Sequence, residues 1–278
     1  MKTLPKQTQM LAETEWQALL ILDACRADYF KKCCPEPFKD SVRTVLSPAR
    51  DTLTWMVRTL PLLSRRQVTY YTANPQCTIQ ISKHAPHIPV VNVWKDLWSY
   101  MTPLQIPSVN PWAVNGWVLA EQKTTKPPIV VHYIQPHFPA VGNPPLAMGQ
   151  WMTRTNPFSA ACHHKLIRPA DMLKYGKTTI KEIRTAYKGN VELVIDAALA
   201  LAQALPGPVV ITADHGEVLG EKEVRRDGTK VSRYGHSSRY RFPKLLNHVP
   251  WLVINPSPKD DIDEEELRKN RLKALGYV

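Results

Sequence analysis

The sequence predicts an α/β fold, a doubly wound, mostly parallel sheet with helices on both faces. Short apolar runs rich in β-branched residues alternate with segments of helical periodicity, which is the pattern of strand–helix–strand units. Several of these runs are continuously apolar, as expected of strands buried on both faces. Two of them stop abruptly at acidic residues, so polar side chains are expected at the sheet edge where such folds bind ligands.

Each element is predicted from the spacing of its apolar residues and from the turn residues that bound it. Apolar or aromatic runs bounded by turn residues predict strands, and apolar residues spaced by about 3.6 predict helices. The strands are 18–23, 67–73, 89–93, 128–134, 208–213 and 249–254, and the helices are 26–33, 52–63, 111–121, 178–205 and 262–274. The helix over 178–205 has the clearest apolar stripe and ends at Pro206-Gly207-Pro208. The polar segment 221–235 indicates a hairpin that turns at Asp227-Gly228.

The chain length is that of one large domain. We predict a single domain over residues 1–278, because its size lies near the upper end for one hydrophobic core. Residues 136–177 have little periodicity and many prolines, and long segments of this kind are often lids or insertions at active sites. Residues 256–278 are predicted to form a C-terminal helical tail.

The composition favours an anionic substrate or partner. The formal net charge is +12, and a basic protein attracts nucleic acid, phosphorylated metabolites, acidic glycans or anionic lipids. The basic residues form only short scattered clusters, and no nucleic-acid motif is present. Nucleic acid therefore stays one of several candidate partners.

The cellular location is expected to be the cytoplasm. No apolar run approaches the ~18 residues of a transmembrane helix, and the first residues lack the apolar core of a signal peptide. The five cysteines are odd in number and lack paired-ligand spacing, which favours reduced thiols. The sequence leaves the oligomeric state open.

Two predicted strands deliver metal-binding side chains to one edge of the sheet. The run ending at Ala213 is followed by Asp214-His215-Gly216-Glu217, and the first run ends in Asp23. Carboxylates and imidazoles are common ligands of divalent metals. For Asp23 the alternative is an ordinary helix cap.

A hydroxyl at a predicted helix start offers a nucleophile. Ser47 precedes the predicted helix over 52–63 and Thr52 begins it; the free amides and the dipole at a helix start suit a residue that carries a phosphoryl or sulfuryl group. The alternative is a plain helix cap. Arg26 or Arg50 could clamp an anionic group with two parallel hydrogen bonds.

Histidines add candidates for acid–base chemistry. His137 follows the end of the strand over 128–134, and His236 follows Gly235 in a loop, so both are expected to act on a ligand. His132 lies inside the strand and is expected to be buried structure.

Taken in order, these segments resemble the alkaline phosphatase superfamily, in its sulfatase-like branch. The resemblance covers about residues 18–255, and its most specific part is Asp-His-Gly-Glu with a downstream Gly-His and Val-Pro. The matching segments are 22–28, 47–55, 135–139, 186–192, 213–221, 234–236 and 249–251.

The resemblance implies a metal site. The ligands would be Asp23, Asp214, His215 and the oxygen of Thr52, which matches the nucleophilic Thr of the family, while Ser47 stays a rival. The metal would be Zn, Mn, Mg or Ca. One or two ions are expected, because the second-metal Asp-x-x-x-His set is missing.

The resemblance also implies the roles of the remaining polar residues. His137 and His236 would face the substrate, or would partly hold a second ion. Glu217 would orient His215 or its loop.

The resemblance implies a metal-dependent hydrolase or transferase of phosphate esters. Sulfate esters are a weaker expectation, because Leu46 stands where sulfatases carry the cysteine of Cys-x-Pro-x-Arg, and Cys25 is misplaced for it. Two alternatives remain, a phosphodiesterase or nuclease acting on a polymer, and a non-catalytic member that binds anions or nucleic acid. Membrane-anchored relatives transfer phospholipid head groups, and the lack of an apolar span argues against that role here.

Overall fold

A computed structural model describes residues 3–121, 128–148, 169–225, 227–237 and 239–255. Its strands are β1 Ala18–Asp23, β2 Arg43–Leu46, β3 Thr69–Thr72, β4 Val90–Val91, β5 Trp98–Met101, β6 Ile106–Val109, β7 Ile129–Pro136, β8 Val209–Ala213, β9 Val218–Val224, β10 Lys230–Gly235 and β11 His248–Ile254. Its α-helices are α1 Gln7–Glu13, α2 Ala27–Cys33, α3 Thr52–Arg65, α4 Pro75–His84, α5 Val93–Leu97, α6 Pro111–Glu121, α7 Pro169–Lys174, α8 Ile180–Ala204 and α9 Pro243–Asn247.

The central sheet has seven strands in the order β2-β11-β8-β1-β7-β3-β4. Strands β8, β1, β7, β3 and β4 run parallel, and β11 runs antiparallel to both β8 and β2. Helices α2, α6 and α8 pack against one another or against the central strands. The predicted α/β fold with a mostly parallel sheet is confirmed.

The central strands are buried along their whole length. Every residue of β1, β7 and β8 is buried, which explains why their sequences are continuously apolar rather than alternating. Because the three strands are parallel and adjacent, their carboxyl ends meet at one edge. Leu22 of β1 pairs with Ala213 of β8 and with Tyr133 of β7. The polar residues that follow these strands are therefore brought together.

The predicted strands and helices within the described residues are all found, with ends shifted by a few residues. The sequence reading missed the short strands β2, β5 and β6 and the helices α1, α4, α5, α7 and α9. Strand β2 was missed because it is a four-residue edge strand with only one fully buried side chain. The helix over 262–274, the tail over 256–278 and residues 149–168 of the region over 136–177 lie outside the described residues, so the lid and the single domain stay predictions.

The hairpin predicted over 221–235 is present. Strands β9 and β10 are antiparallel, with Val224 opposite Lys230. Gly228 has a φ of +81°, which a side chain would oppose, and its amide donates to the carbonyl of Arg225 over 3.0 Å. Strand β9 begins at Val218, so the hairpin starts directly after Asp214-His215-Gly216-Glu217.

No helix in the described part of the chain is both long and apolar enough to cross a membrane.

Candidate metal and nucleophile site

Three ligand-type side chains converge where β1 and β8 end. Asp23, Asp214 and His215 are buried, and each offers a ligand atom within 4.8 Å of the others. Nε2 of His215 lies 3.4 Å from Oδ2 of Asp214 and 3.7 Å from Oδ1 of Asp23. We call these three residues the strand-end cluster.

Helix α3 presents a hydroxyl to this cluster from its first turn. Asp51 is the N-cap, with extended backbone angles and a carboxylate that accepts from the amide of Thr54 over 2.8 Å. Thr52 is the first helical residue and is buried. The cap is therefore Asp51, and the Thr52 hydroxyl serves no capping function of its own.

The Thr52 hydroxyl touches all three members of the strand-end cluster. Its Oγ1 donates to Oδ2 of Asp214 over 2.8 Å and lies 3.2 Å from Nε2 of His215 and 3.4 Å from Oδ1 of Asp23. The four residues expected to hold one metal and to include the nucleophile are thus gathered at one point.

The electrostatics of this cluster fit a cation. Burial, and next the nearby Asp214, raise the pKa of Asp23 well above its ordinary value. Burial, and next His236, lower the pKa of His215 to about 3, so its imidazole is neutral. Two carboxylates packed together without a cation repel each other, whereas two carboxylates, a neutral imidazole and a hydroxyl are a suitable ligand set for a divalent metal.

Backbone contacts hold these ligands in place. Oδ1 of Asp214 accepts from the amides of Ala24, over 3.0 Å, and His215, over 2.8 Å. Nδ1 of His215 lies 2.7 Å from the carbonyl of Gly216, which accepts its proton and leaves Nε2 to face the cluster. A Cβ on Gly216 would lie 1.9 Å from the carbonyl oxygen of Leu245, so only glycine fits there.

Asn74 is a site residue that the sequence reading missed. Its Nδ2 donates to Oδ2 of Asp23 over 2.6 Å, and its Oδ1 caps α4 by accepting from the amide of Gln76. The signal was an Asn followed by a Pro directly after the strand over 67–73, at the same sheet edge as Asp23.

A second group of ligand-type residues lies beside the first. His137, Glu217 and His236 offer atoms within 4.8 Å of one another, and we call them the loop cluster. Nδ1 of His236 lies 3.3 Å from Oε2 of Glu217, and the His236 ring centroid lies 4.3 Å from that of His215. Glu217 was expected to orient His215 or its loop; it contacts His236 and accepts from the amide of Val218 in that loop, while Nδ1 of His215 is taken by the carbonyl of Gly216.

The loop cluster pairs one protonated with one neutral histidine. Burial alone would lower the pKa of His236, but Glu217, Asp23 and Asp214 raise it to about 9. Burial, and next His236, lower the pKa of His137. At neutral pH the cluster therefore holds a cationic imidazole paired with a carboxylate and a neutral imidazole.

Asn190 of α8 holds the loop that carries His137. Its Nδ2 lies 3.2 and 3.3 Å from the carbonyls of Pro136 and His137, and its Oδ1 accepts from the amides of Val141 and Gly142. The loop also approaches the helix closely, because a Cβ on Gly142 would lie 2.2 Å from the carbonyl oxygen of Gly189. The position of His137 is thereby tied to α8.

Ser47, the rival nucleophile, has a different environment. It is buried, its hydroxyl donates to the backbone carbonyl of Asp214, and it accepts from the amide of Ala49. This hydroxyl braces the loop that leads into α3, and it is Thr52 that faces the ligand-type side chains.

Arg26, an expected substrate clamp, is engaged within the protein. Its guanidinium makes two parallel bonds to Asp28 (2.9 and 2.7 Å) and one of 2.7 Å to Glu221. It also lies 3.4 Å from the carbonyl of Glu217 and is 6% exposed. These contacts differ from the predicted role, because they join α2 to β9 and leave little of the guanidinium for a substrate.

Arg50, the other expected clamp, ties two loops together. Its Nε donates to Oδ1 of Asn247 over 2.8 Å, and its Nη1 donates to the carbonyl of Tyr240 over 3.1 Å. Asn247 in turn donates to the carbonyl of Ala49. Arg50 is half-buried, and these contacts fix the loop that precedes Thr52.

Comparison with known proteins rests on solved structures, since no family model and no curated protein matches the chain. The integral membrane lipooligosaccharide phosphoethanolamine transferase A from Neisseria meningitidis matches with a TM-score of 0.55 and 16% identity, over 95% of this chain and 52% of that one. The soluble domain of that enzyme matches with a TM-score of 0.55 and 14% identity, over 97% of this chain and 80% of the domain.

The C-terminal periplasmic domain of EcEptC from Escherichia coli matches with a TM-score of 0.50 and 10% identity, over 97% of this chain and 78% of that domain. At these identities the matches establish the fold. This chain spans about half the length of the integral membrane transferase.

The matches also correct the expected location. A cytoplasmic protein was expected, but the structures that share this fold include an integral membrane protein and a periplasmic domain. The argument from cysteines was weak because Cys25, Cys34 and Cys77 are buried, and a buried thiol is inert in any compartment. The resemblance noted in the sequence is supported at the level of the fold, which this chain shares with lipooligosaccharide phosphoethanolamine transferase A.

Proposed function

We propose that this protein is a metal-dependent phosphoester hydrolase or transferase with Thr52 as its nucleophile. The observation that carries the proposal is the position of the Thr52 hydroxyl, at the start of α3 and within 3.4 Å of Asp23, Asp214 and His215. A hydroxyl that only capped the helix would accept from the helix amides. In α3 the Asp51 carboxylate fills that role, because it accepts from the amide of Thr54.

The reaction follows from the donor set. A divalent metal held by Asp23, Asp214 and His215 would lower the pKa of the Thr52 hydroxyl and neutralise charge on the transferred group. The Thr52 oxygen attacks phosphorus, a bond from Oγ1 to phosphorus forms, and the bond from phosphorus to the leaving oxygen breaks. Transfer of the group to water or to an acceptor hydroxyl then frees Thr52.

We assign the loop cluster to the substrate. The cationic imidazole of His236 suits a non-bridging phosphate oxygen or protonation of the leaving oxygen, and His137 lies beside it with ring centroids 5.2 Å apart. The same two histidines and Glu217 are also a candidate second cation site. The number of metal ions bound per wild-type chain distinguishes a one-metal from a two-metal enzyme.

Transfer of a phospholipid head group is the first specific reaction to test. Two of the solved structures with this fold are named phosphoethanolamine transferases, and that name supplies the candidate donor. The lack of an apolar span, which argued against this role, loses its force, because the chain spans about half the length of the integral membrane transferase.

The test uses three chromogenic esters and one lipid donor. p-Nitrophenyl phosphate, bis-p-nitrophenyl phosphate and p-nitrophenyl sulfate are offered with Zn²⁺ or Mn²⁺, and a phosphatidylethanolamine vesicle serves as the donor of a head group. Thr52→Val keeps the side-chain shape and removes the hydroxyl, so turnover is expected to fall by about 10⁴ or more. Intact mass of the wild type reports whether a phosphoryl or phosphoethanolamine adduct forms.

Two matched variants identify the hydroxyl responsible. Thr54→Val removes a hydroxyl two residues away that faces Asp51 and should retain activity within about threefold. Ser47→Ala tests the rival nucleophile by removing its hydroxyl. Turnover that survives Thr52→Val and is lost in Ser47→Ala would reassign the nucleophile. Inert wild type that still binds phosphate in the presence of EDTA would favour the non-catalytic anion-binding alternative.

A further inference from the structure

His132 has a buried nitrogen that the catalytic scheme does not use. The side chain is fully buried in β7, and among the described residues its Nε2 has no hydrogen-bond partner. That nitrogen lies 3.9 Å from Oδ2 of Asp214, the carboxylate oxygen that accepts from Thr52. An unpartnered buried polar atom costs free energy, so its retention beside a metal ligand calls for a reason.

The other ring nitrogen of His132 indicates which nitrogen carries the proton. Nδ1 lies 2.8 Å from the hydroxyl of Tyr70 and 3.2 Å from the thiol of Cys77, and both are proton donors. The Tyr70 hydroxyl is also 3.4 Å from the sulfur of Met56, which is a much weaker acceptor than an imidazole nitrogen. Nδ1 therefore accepts a hydrogen bond from the Tyr70 hydroxyl, and the ring proton sits on Nε2.

The surroundings of Asp214 favour the same tautomer. Both oxygens of Asp214 accept hydrogen bonds, from the amides of Ala24 and His215 and from the hydroxyl of Thr52. A bare Nε2 lone pair facing this carboxylate would be repelled, whereas an N–H would be attracted.

We propose that His132 is a positioning residue for the metal ligand Asp214, with Tyr70 holding its proton on Nε2 so that the N–H points at Oδ2. The residue acts through Asp214 and does not touch the substrate. The separation of 3.9 Å is longer than a hydrogen bond, so the interaction in this structure is an oriented dipole that a small shift of either side chain would convert into a bond.

This inference rests on the proposed metal-dependent function and deepens it. Its first test needs neither metal nor substrate. In metal-free wild-type protein labelled with ¹⁵N-histidine, the long-range ¹H–¹⁵N spectrum should assign the Nε2–H tautomer to His132. Tyr70→Phe, which removes the donor to Nδ1, should allow the Nδ1–H form to appear. Tyr133→Phe is the matched control, because its hydroxyl donates to Asn115 instead. An Nδ1–H tautomer in wild type would overturn the inference.

The second test measures Mn²⁺ affinity by calorimetry in the full chain. Asp214→Asn defines the binding signal of the strand-end cluster. His132→Asn reaches only the Nδ1 position and should weaken that signal by about 10- to 100-fold. His132→Gln places an amide N–H near the Nε2 position and should recover part of the loss. A purely structural His132 would lower the melting temperature of the metal-free protein without this pattern.

The outcomes separate the two proposals. Wild type that binds no Mn²⁺ or Zn²⁺ contradicts the proposed function together with the role of His132. Wild type that binds a metal, with His132→Asn and His132→Gln both within twofold of it, contradicts the role of His132 alone. Weak binding in His132→Asn with recovery in His132→Gln supports both.

Discussion

The strand-end cluster and the loop cluster lie side by side but are built differently. Asp23 is the last residue of β1 and Asp214 directly follows β8, so the pairing of these two buried parallel strands sets where they meet. His137, Glu217 and His236 sit on loops that are held by side chains from elsewhere, and His236 retains 22% of its side-chain exposure. The meeting of residues placed by sheet register is predictable from sequence, whereas the contacts made by residues on packed loops are not.

Of the variants that separate the two clusters, the largest effect is expected from removing a carboxylate of the strand-end cluster. Asp214→Asn should reduce metal-dependent turnover by about 10³ or more, because a bound metal supplies several kcal/mol of charge stabilisation and each 1.4 kcal/mol is a factor of ten. The same variant should raise the melting temperature of the metal-free protein, since it relieves the repulsion from Asp23. Turnover within tenfold of wild type would place the metal elsewhere.

The next largest effect is a change in the pH dependence of phosphate binding by the loop cluster. Glu217→Gln removes a main cause of the raised pKa of His236, so that pKa should fall from about 9 by about 1 to 3 units. A cationic His236 is present below its pKa and is lost as the pH rises through it. Phosphate binding should therefore fail at a lower pH in the variant than in wild type.

The comparison for that variant is the binding of Mn²⁺ to the strand-end cluster. It should stay within about threefold of wild type if the two clusters act separately. Identical pH profiles of phosphate binding for wild type and Glu217→Gln would contradict the assignment of His236 to the substrate.

The support of the loop cluster can be broken at Gly142. A Cβ there would lie 2.2 Å from the backbone carbonyl oxygen of Gly189. No side-chain rotation relieves this clash, because both atoms are fixed by the backbone. Gly142→Ala should cost about 2 kcal/mol or more of unfolding free energy and weaken phosphate binding through His137. Gly176→Ala, where nothing lies within 4 Å but φ is +64°, should cost about 1 kcal/mol and leave phosphate binding unchanged.

The smallest effect concerns Arg26. Its bonds to Asp28 and Glu221 predict that Arg26→Met lowers the unfolding free energy by about 1 kcal/mol, a value reduced because Asp28 is largely exposed. KM for the best phosphoester should stay within about threefold of wild type. A rise in KM of tenfold or more without loss of stability would restore the substrate clamp predicted from the sequence.

The strand-end cluster shows which site residues local sequence patterns can predict. Asp23, Asp214 and His215 were predicted because an apolar run that ends in a polar ligand is a local signal, and parallel strands carry such ends to one edge. Thr52 was predicted with Ser47 as a rival, and only the packing of the loop before α3 separated them. Asn74 was missed, although it caps a helix at the same edge, because helix α4 itself was not predicted.

The sequence by itself determined the class of fold, the buried central strands and the residues at their ends, because these follow from periodicity and from the geometry of a parallel sheet. The contacts of the long polar side chains could be seen only in the tertiary structure. Arg26 binds Asp28 and Glu221, Glu217 contacts His236, and His132 turns its unpartnered Nε2 toward Asp214. Such contacts join residues up to 195 positions apart in the chain and depend on how loops and helices pack, which no local pattern encodes.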